Sequence, residues 1–323
     1  MTTSLPTALA KLGPVTGRLE DNGHTSAVVY PVGPDISDHR RWIADHREPI
    51  QACLRTQGAV LLTELPADLA LFSAVVRSIG GEPLAYNERS TPRTEIGLGI
   101  YTSTDYPPDQ AIPMHNENSY SDRWPTTLFF FCDTPAESGG ATPIANSRAV
   151  LRLLPLDLRN DFSQGVLYTR TFRDGFGLSW RESFQTDSRA QVEQYCRDHD
   201  QRFTWTGAGL RTAHRRPAWG TEPLTGEQVW FNQANLFHVS SLDEEVQEAL
   251  LALYPEQDLP RNAYFGDGRP IPPETITAVD KAYAEASLAL PWQPGNILII
   301  NNMLTAHGRE PFTGTRRILV AMS

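Results

Sequence analysis

Pro294-Gly295-Asn296-Ile297-Leu298-Ile299-Ile300-Asn301-Asn302 is a turn signal followed by a short apolar run rich in β-branched residues, which reads as a buried strand with a polar end. Past that end a short loop delivers His307. Arg316-Arg317-Ile318-Leu319-Val320-Ala321-Met322 then reads as a second apolar strand with cations at its mouth. Far upstream stands His115-Asn116-Glu117. Side chains alternate with period two on an extended strand, so its imidazole and carboxylate face the same side. A lone H-x-E motif is common by chance, but here a distant histidine at the end of a buried strand completes a triad. Two neutral imidazoles and one carboxylate on one face of a metal leave three positions open, which suits a non-haem Fe(II) that must hold a co-substrate and O2 together. An arginine at the mouth of an apolar strand is costly without an anion, and its planar fork fits a carboxylate.

The motifs in chain order are Ser90-Thr91-Pro92-Arg93-Thr94, the run Ile112 to Tyr120 around the first two candidate ligands, Gly139-Gly140-Ala141-Thr142-Pro143-Ile144-Ala145, Val229-Trp230-Phe231-Asn232-Gln233-Ala234, and Ala306-His307-Gly308-Arg309 leading to Arg317. In them the chain resembles the taurine dioxygenase (TauD/TfdA-like) family of Fe(II)/2-oxoglutarate-dependent oxygenases. Within that family it is most similar to the syringomycin-type aspartate hydroxylases of peptide natural-product pathways. The resemblance implies that His115, Glu117 and His307 ligate Fe(II), that Arg317 holds the distal carboxylate of the co-substrate 2-oxoglutarate, and that the Thr142 hydroxyl bonds the same carboxylate. Arg316 is the rival for the arginine role, since a shift of one residue exchanges the two faces of a strand. It also implies oxidative decarboxylation to succinate and CO2, with hydroxylation of the C–H bond held nearest the metal. Desaturation, cyclisation or epoxidation are alternative outcomes of the same chemistry.

Two departures from the family pattern carry meaning. Taurine dioxygenase has a second arginine four residues past the first, where it grips the sulfonate; here that position is Ala321, which disfavours taurine. The carboxylate ligand is glutamate where most of the family has aspartate. Its presence denies halide the site it takes in related halogenases, which favours hydroxylation.

At 323 residues and 40% hydrophobic the chain can bury a large core as one domain. The expected division is an N-terminal extension over 1–25, loosely ordered, and a single oxygenase domain over 26–323 with a substrate-specificity insertion around 150–240. A net charge of −10 argues against nucleic acid as a partner. Three widely spaced cysteines suit a reducing compartment better than a disulfide framework, and no C-x-x-C pair suggests structural zinc. No secretory leader pattern or membrane-length apolar run is apparent, so a cytoplasmic protein is expected.

Helical spacing predicts a helix from Ser37 to about Gln57, broken at Pro49 and stopped by Gly58, and another carrying Leu69, Phe72, Val76 and Ile79 up to Gly80-Gly81. Ser188 with Gln191 and Ser241 with Glu244 read as capping boxes, and Glu274 to Leu288 reads as a further helix. Helices among short strands with abundant Gly and Pro fit a mainly β double-stranded β-helix (jelly roll, cupin-like) with flanking helices, whose working end is the strand pair around the metal motifs.

The segment Thr171-Phe172-Arg173-Asp174-Gly175-Phe176-Gly177-Leu178 has the glycines and aromatics of a closing loop. Candidate substrate contacts are Arg93, Asn118, Tyr120, Arg173, Asn232 and Gln233, with Asn235, because amides, phenols and guanidinium groups recognise amino-acid or peptide groups. The expected substrate is a small amino acid, free or on a peptidyl carrier protein, and Arg211, Arg215 and Arg216 could offer such a carrier a basic patch. A metal-binding protein without redox chemistry and a zinc hydrolase are the competing classes. Oligomeric state, a homo-oligomer included, stays open.

Overall fold

The computed structural model describes residues 11–33, 35–84, 95–97, 99–103, 106–173, 177–207 and 209–323. Its largest sheet has eight strands, in the order Arg18–Asp21, Ser26–Pro31, Ala59–Thr63, Ile297–Asn301, Thr127–Thr134, Arg317–Met322, Ile100–Thr102 and Glu95–Gly97. The apolar run after Gly295 lies at its centre, with Ile297 and Ile299 opposite Phe131 and Phe129 on one side and Leu62 and Val60 on the other. Its four apolar side chains are almost wholly buried, and each contributes about 1.5–3 kcal/mol of hydrophobic stabilisation.

Period-two alternation gives this sheet two apolar faces. Val60, Leu62, Phe129, Phe131, Ile299 and Leu319 face the helices, where Phe131 stacks on Phe72 at a ring separation of 5.1 Å. Leu61, Phe130, Cys132, Leu298, Ile300, Ile318 and Val320 face the other way, toward Ile144 and Leu290. On that side lies a four-stranded sheet ordered Ser287–Leu288, Ile144–Asn146, Thr305–Arg309 and Ile112–His115. The two facing sheets with helices outside are the expected double-stranded β-helix. A third sheet, ordered Arg202–Thr206, Gly209–Arg216, Val166–Arg173 and Arg261–Phe265, comes mostly from the insertion but recruits its last strand from beyond residue 240. Tyr168, Ala263 and Phe265 pack it against Trp230, Phe237 and Tyr283.

Several local expectations shift for identifiable reasons. The first helical region breaks at His46, giving His39–Asp45 and Arg47–Gln57; Pro49 sits in the first turn of the second helix, where its missing N–H is no loss. Gly58 ends that helix in the left-handed conformation, at φ 86°. Ser188 caps its helix through Gln191 N, whereas Ser241 closes a short 3-10 turn and Asp243 precedes the helix Glu244–Leu253. The last helix ends at Ala286, and Ser287–Leu288 joins a sheet instead. Residues 11–25 are not loosely packed: Leu12 and Val15 are buried, Arg18–Asp21 forms an edge strand, and the Thr25 hydroxyl is held between Ala286 O and Asn146 N. The three cysteines are buried and free. Among the described residues no helix is long and apolar enough to cross a membrane.

Gly295 has φ 85°, its N–H bonds to Cys132 O, and a Cβ there would collide with the carbonyl oxygen of Leu65. Gly295→Ala should therefore destabilise the protein by about 1–3 kcal/mol, through strain at the entrance to the central strand. Urea unfolding reads this directly; an unchanged midpoint would show that the turn can relax at no cost.

Candidate metal centre

His115 and His307 meet because their strands pair antiparallel with these two residues opposite each other. Directly opposed side chains share one face, and the two rings lie 4.4 Å apart between centroids. Glu117, just past the end of the first strand, brings its Oε2 to 3.7 Å from His115 Nε2 and 4.0 Å from His307 Nε2. One ligand atom from each of the three residues lies within 4.8 Å of the others, and all three residues are buried. His115 Nδ1 lies 2.8 Å from Pro113 O; a carbonyl only accepts, so Nδ1 carries the proton and Nε2 presents its lone pair to the centre. Two imidazoles and a carboxylate converging from one side fit a single divalent ion with positions left for small ligands, as in non-haem Fe(II) sites.

A buried amide network holds this geometry. The side chain of Asn302 accepts from Glu117 N at 2.8 Å and donates to Glu117 O at 2.9 Å and Pro125 O at 2.8 Å. Asn116, between the two ligands, donates to Asn302 O and to Ser147 Oγ, while its own carbonyl accepts from Gln233 Nε2 at 2.7 Å. Asn118 follows with φ 55°, turning the chain sharply away after the carboxylate. Glu117 is thus clamped at both backbone groups.

Beside the ligands opens a cavity lined in part by Phe130, Thr142, Arg309, Arg316, Ile318 and Val320. Arg316 is the guanidinium that faces it: Nε donates to Gly140 O at 2.8 Å and Nη2 to the Thr142 hydroxyl at 3.3 Å. Trp292 Nε1 also donates to that hydroxyl, at 3.2 Å, so the Thr142 oxygen accepts twice and its proton is left to donate onward. Burial, with Arg309 nearby, pushes the Arg316 guanidinium down to about 10, still fully charged at neutral pH. Arg317, the expected co-substrate arginine, points the other way; its side chain is 51% exposed and pairs with Asp133. Cavity-facing Ile318 and Val320 place Arg316 on the inner side of the chain, while a register irregularity between Arg317 and Ile318 leaves Arg317 at the sheet's outer margin. The position four residues beyond the inward arginine is accordingly Val320, not Ala321; Ala321 packs toward the helices. Neither residue offers a second cation.

Most of the polar residues expected to touch substrate are occupied elsewhere. Gln233 braces Asn116, and Asn232 bonds Ala218 O and Ala234 N. Tyr120 is buried against Phe237 and Tyr168. Asn235 donates to Met114 O and Asp280. Arg173 lies over the ring of Tyr254 and 4.0 Å from Asp258, outside the metal cavity. Asn118 keeps a buried Oδ1 with no hydrogen-bond partner among the described residues. Arg93 and the centre of the expected closing loop, residues 174–176, lie outside the described residues. Arg211 is held by Asp258, and Arg216 is buried and donates to His199 O, so with exposed Arg215 they form no continuous basic patch. Sequence reading passed over Asn302, Trp292 and Arg309; only the paired asparagines closing an apolar run hinted at the first of them.

A model of the family described as "Taurine catabolism dioxygenase TauD, TfdA family" matches residues 23–322. The dapdiamide synthesis protein DdaC of Enterobacter agglomerans is 39% identical over 277 residues, covering 85% of this chain and 84% of that protein. A clavaminate synthase-like protein of Arabidopsis thaliana is 30% identical over 295 residues, covering 87% and 86%. The crystal structure of PvcB from Pseudomonas aeruginosa superimposes with a TM-score of 0.54 at 15% identity, covering 100% of this chain and 94% of that one, a likeness of fold.

Removing the amide clamp should loosen the centre without touching a ligand. Asn302→Ala is expected to weaken Mn(II) or Fe(II) binding by about 10–100-fold, the usual cost of losing an outer support of a metal ligand. Anaerobic calorimetric titration measures it, and an affinity within twofold of wild type would mean that strand pairing alone orients Glu117.

Proposed function

The chain belongs to the TauD, TfdA family and is an Fe(II)/2-oxoglutarate-dependent oxygenase, and from that premise we propose that it hydroxylates an unactivated C–H bond of an amino acid in natural-product biosynthesis, releasing succinate and CO2. The observation that carries this reading is the meeting, in one buried cavity, of the three-ligand face with a separate guanidinium and hydroxyl pair. A metal site alone would serve many chemistries. A cation and an O–H donor set beside it supply what a keto-diacid needs at its far end. The name of the dapdiamide synthesis relative supports the biosynthetic setting, and an amino acid, free or tethered to a peptidyl carrier protein, is the substrate class that fits the family subgroup.

When bound, Fe(II) with 2-oxoglutarate supplies the oxidising power, consuming O2 as the keto-acid is decarboxylated. The chain's own residues do the rest. His115, Glu117 and His307 would hold the metal from one side and leave the opposite side to small ligands. Arg316 and the donating hydroxyl of Thr142 would seat the distal carboxylate, and Trp292 fixes that hydroxyl's rotamer. Phe130, Ile318 and Val320 form an apolar wall that excludes water and strengthens the ion pair behind it. Because Glu117 occupies the carboxylate position, halide has no vacancy to fill, which favours hydroxyl over halogen transfer.

Arg316→Ala should raise the KM for 2-oxoglutarate by about 10–100-fold, as expected for losing a charged hydrogen-bond donor, while Arg317→Ala should change it by less than about fivefold, because an exposed ion pair is weak. His115→Ala and Glu117→Ala should abolish O2-dependent succinate release. The measurement is succinate formed in air against an anaerobic control; a KM effect confined to Arg317→Ala would reverse the assignment of the two arginines.

A further inference from the structure

On the third sheet two arginines stand directly opposite each other: Arg170 of Val166–Arg173 is in register with Arg261 of Arg261–Phe265. Opposed residues of antiparallel strands project from the same face with Cβ atoms about 4.5–5.5 Å apart, where like charges repel. This is the inner face. Tyr168, two residues from Arg170 and about 7 Å along the strand, shares it by alternation, and the Tyr168 hydroxyl accepts from Gln233 N. The side chain of Gln233 in turn holds the carbonyl of Asn116, between two metal ligands. On the other strand Arg261 interacts electrostatically with Tyr106, whose carbonyl accepts from Arg309 at the wall of the metal cavity.

Both guanidinium groups are set among aromatic rings: Arg170 lies 4.5 Å from the centroid of Phe172 and is only 8% exposed, and Arg261 lies 5.8 Å from that of Phe237. Burial lowers the Arg261 pKa, with Arg170's charge acting in the same direction and Tyr106 and Tyr120 opposing it. No carboxylate among the described residues lies within ion-pair distance of Arg261. Asp258 lies on the other face, where it takes Arg173 and Arg211. A cavity of about 260 Å³, lined by Arg170, Phe172, Leu178, Leu242, Leu250 and Arg261, opens at the pair. Apolar walls with two convergent cations are the makings of a site for a small organic anion.

We propose that Arg170 and Arg261 together bind a carboxylate of the substrate, so that the enzyme takes an amino acid bearing a free carboxylate. This deepens the amino-acid oxygenase reading and rests on it. The substrate's α-carboxylate and an acidic side chain present the same chemistry to the pair, and amide analogues separate them.

The test uses the enzyme loaded anaerobically with Fe(II) and 2-oxoglutarate, titrated with the twenty common L-amino acids and their α-carboxamides while the visible band is followed. At least one amino acid should perturb the band, and its affinity should fall about 10–100-fold in Arg261→Gln and in Arg170→Gln, as for loss of a charged hydrogen bond. Arg261→Lys should lie between wild type and Arg261→Gln. If the pair takes the α-carboxylate, the parent's α-carboxamide should bind as weakly as the variants bind the parent. An α-carboxamide of aspartate or glutamate that binds as well as its parent, yet remains sensitive to Arg261→Gln, assigns the pair to the side-chain carboxylate. Thermal unfolding of the ligand-free Arg261→Gln variant should be no lower than wild type, because no carboxylate of the described residues pairs with Arg261; a clear drop with unchanged amino-acid affinity would make the pair structural and overturn the proposal. Failure of every amino acid to bind also overturns it. If wild type forms no 2-oxoglutarate band at all, the oxygenase reading fails instead, so the two failures are distinguishable.

Discussion

The pairing of His307 with His115 across two short antiparallel strands is the contact on which the site depends. Strand pairing fixes which residues oppose each other, and a slip by one residue would move one imidazole to the far side of the sheet. Chain topology does what sequence proximity cannot, because the two histidines come from remote stretches and meet only when the four-stranded sheet closes. The large sheet behind them makes that register rigid, since its central strand, Ile297–Asn301, runs directly into the loop that precedes His307. Packing energy stored in Ile297 to Ile300 is thus spent on holding a metal geometry.

Rigid strands do not place Glu117, which lies just beyond a strand end. Asn302 solves this by gripping both backbone groups of Glu117, and Asn116 ties back to the backbone of Asn302. Buried amides of this kind are costly if any partner is missing. Here the Asn302 side chain is satisfied at both its oxygen and its nitrogen, while Asn116 Oδ1 is left without a partner among the described residues, and the result is a carboxylate held at both of its backbone groups. Gln233 extends the network into the insertion, so the segment carrying the third sheet is mechanically continuous with the metal motif.

Period and spacing in the sequence were enough to locate the buried strands, while the ligand set of His115, Glu117 and His307 rested on the family resemblance as well. They were enough because apolar β-branched runs bounded by turns have few ways to be buried. The choice between Arg316 and Arg317 was not legible, because Ile318 to Met322 is apolar on both faces and the pattern does not say which face meets the cavity. The polar residues near the ligands were misread for a related reason. Asn232, Gln233 and Asn235 carry groups suited to a substrate, yet each is used by the backbone nearby, and a sequence cannot say which acceptors the fold will bring within reach. The antiparallel pairing of Lys11–Leu12 with Val15–Thr16 was missed because its two buried apolar residues, Leu12 and Val15, are too few to show a period.

The buried cations divide by what neutralises them. Arg309 donates from both of its terminal nitrogens to the carbonyl oxygens of Tyr106, Pro107 and Gln110, an arrangement that anchors a loop and commits those donors. Arg316 gives one bond to a carbonyl and one to a hydroxyl, two neutral acceptors that orient the fork without cancelling its charge. A guanidinium oriented in this way and lined up on a cavity attracts an anion more strongly than an exposed one, because apolar walls such as Val320 keep the local dielectric low. The same physics explains why Arg317, equal in charge and adjacent in sequence, contributes little: Asp133 and solvent already screen it. Environment rather than residue type therefore sorts these arginines, and Arg261, set beside the ring of Phe237 with no carboxylate of the described residues at ion-pair distance, falls with Arg316.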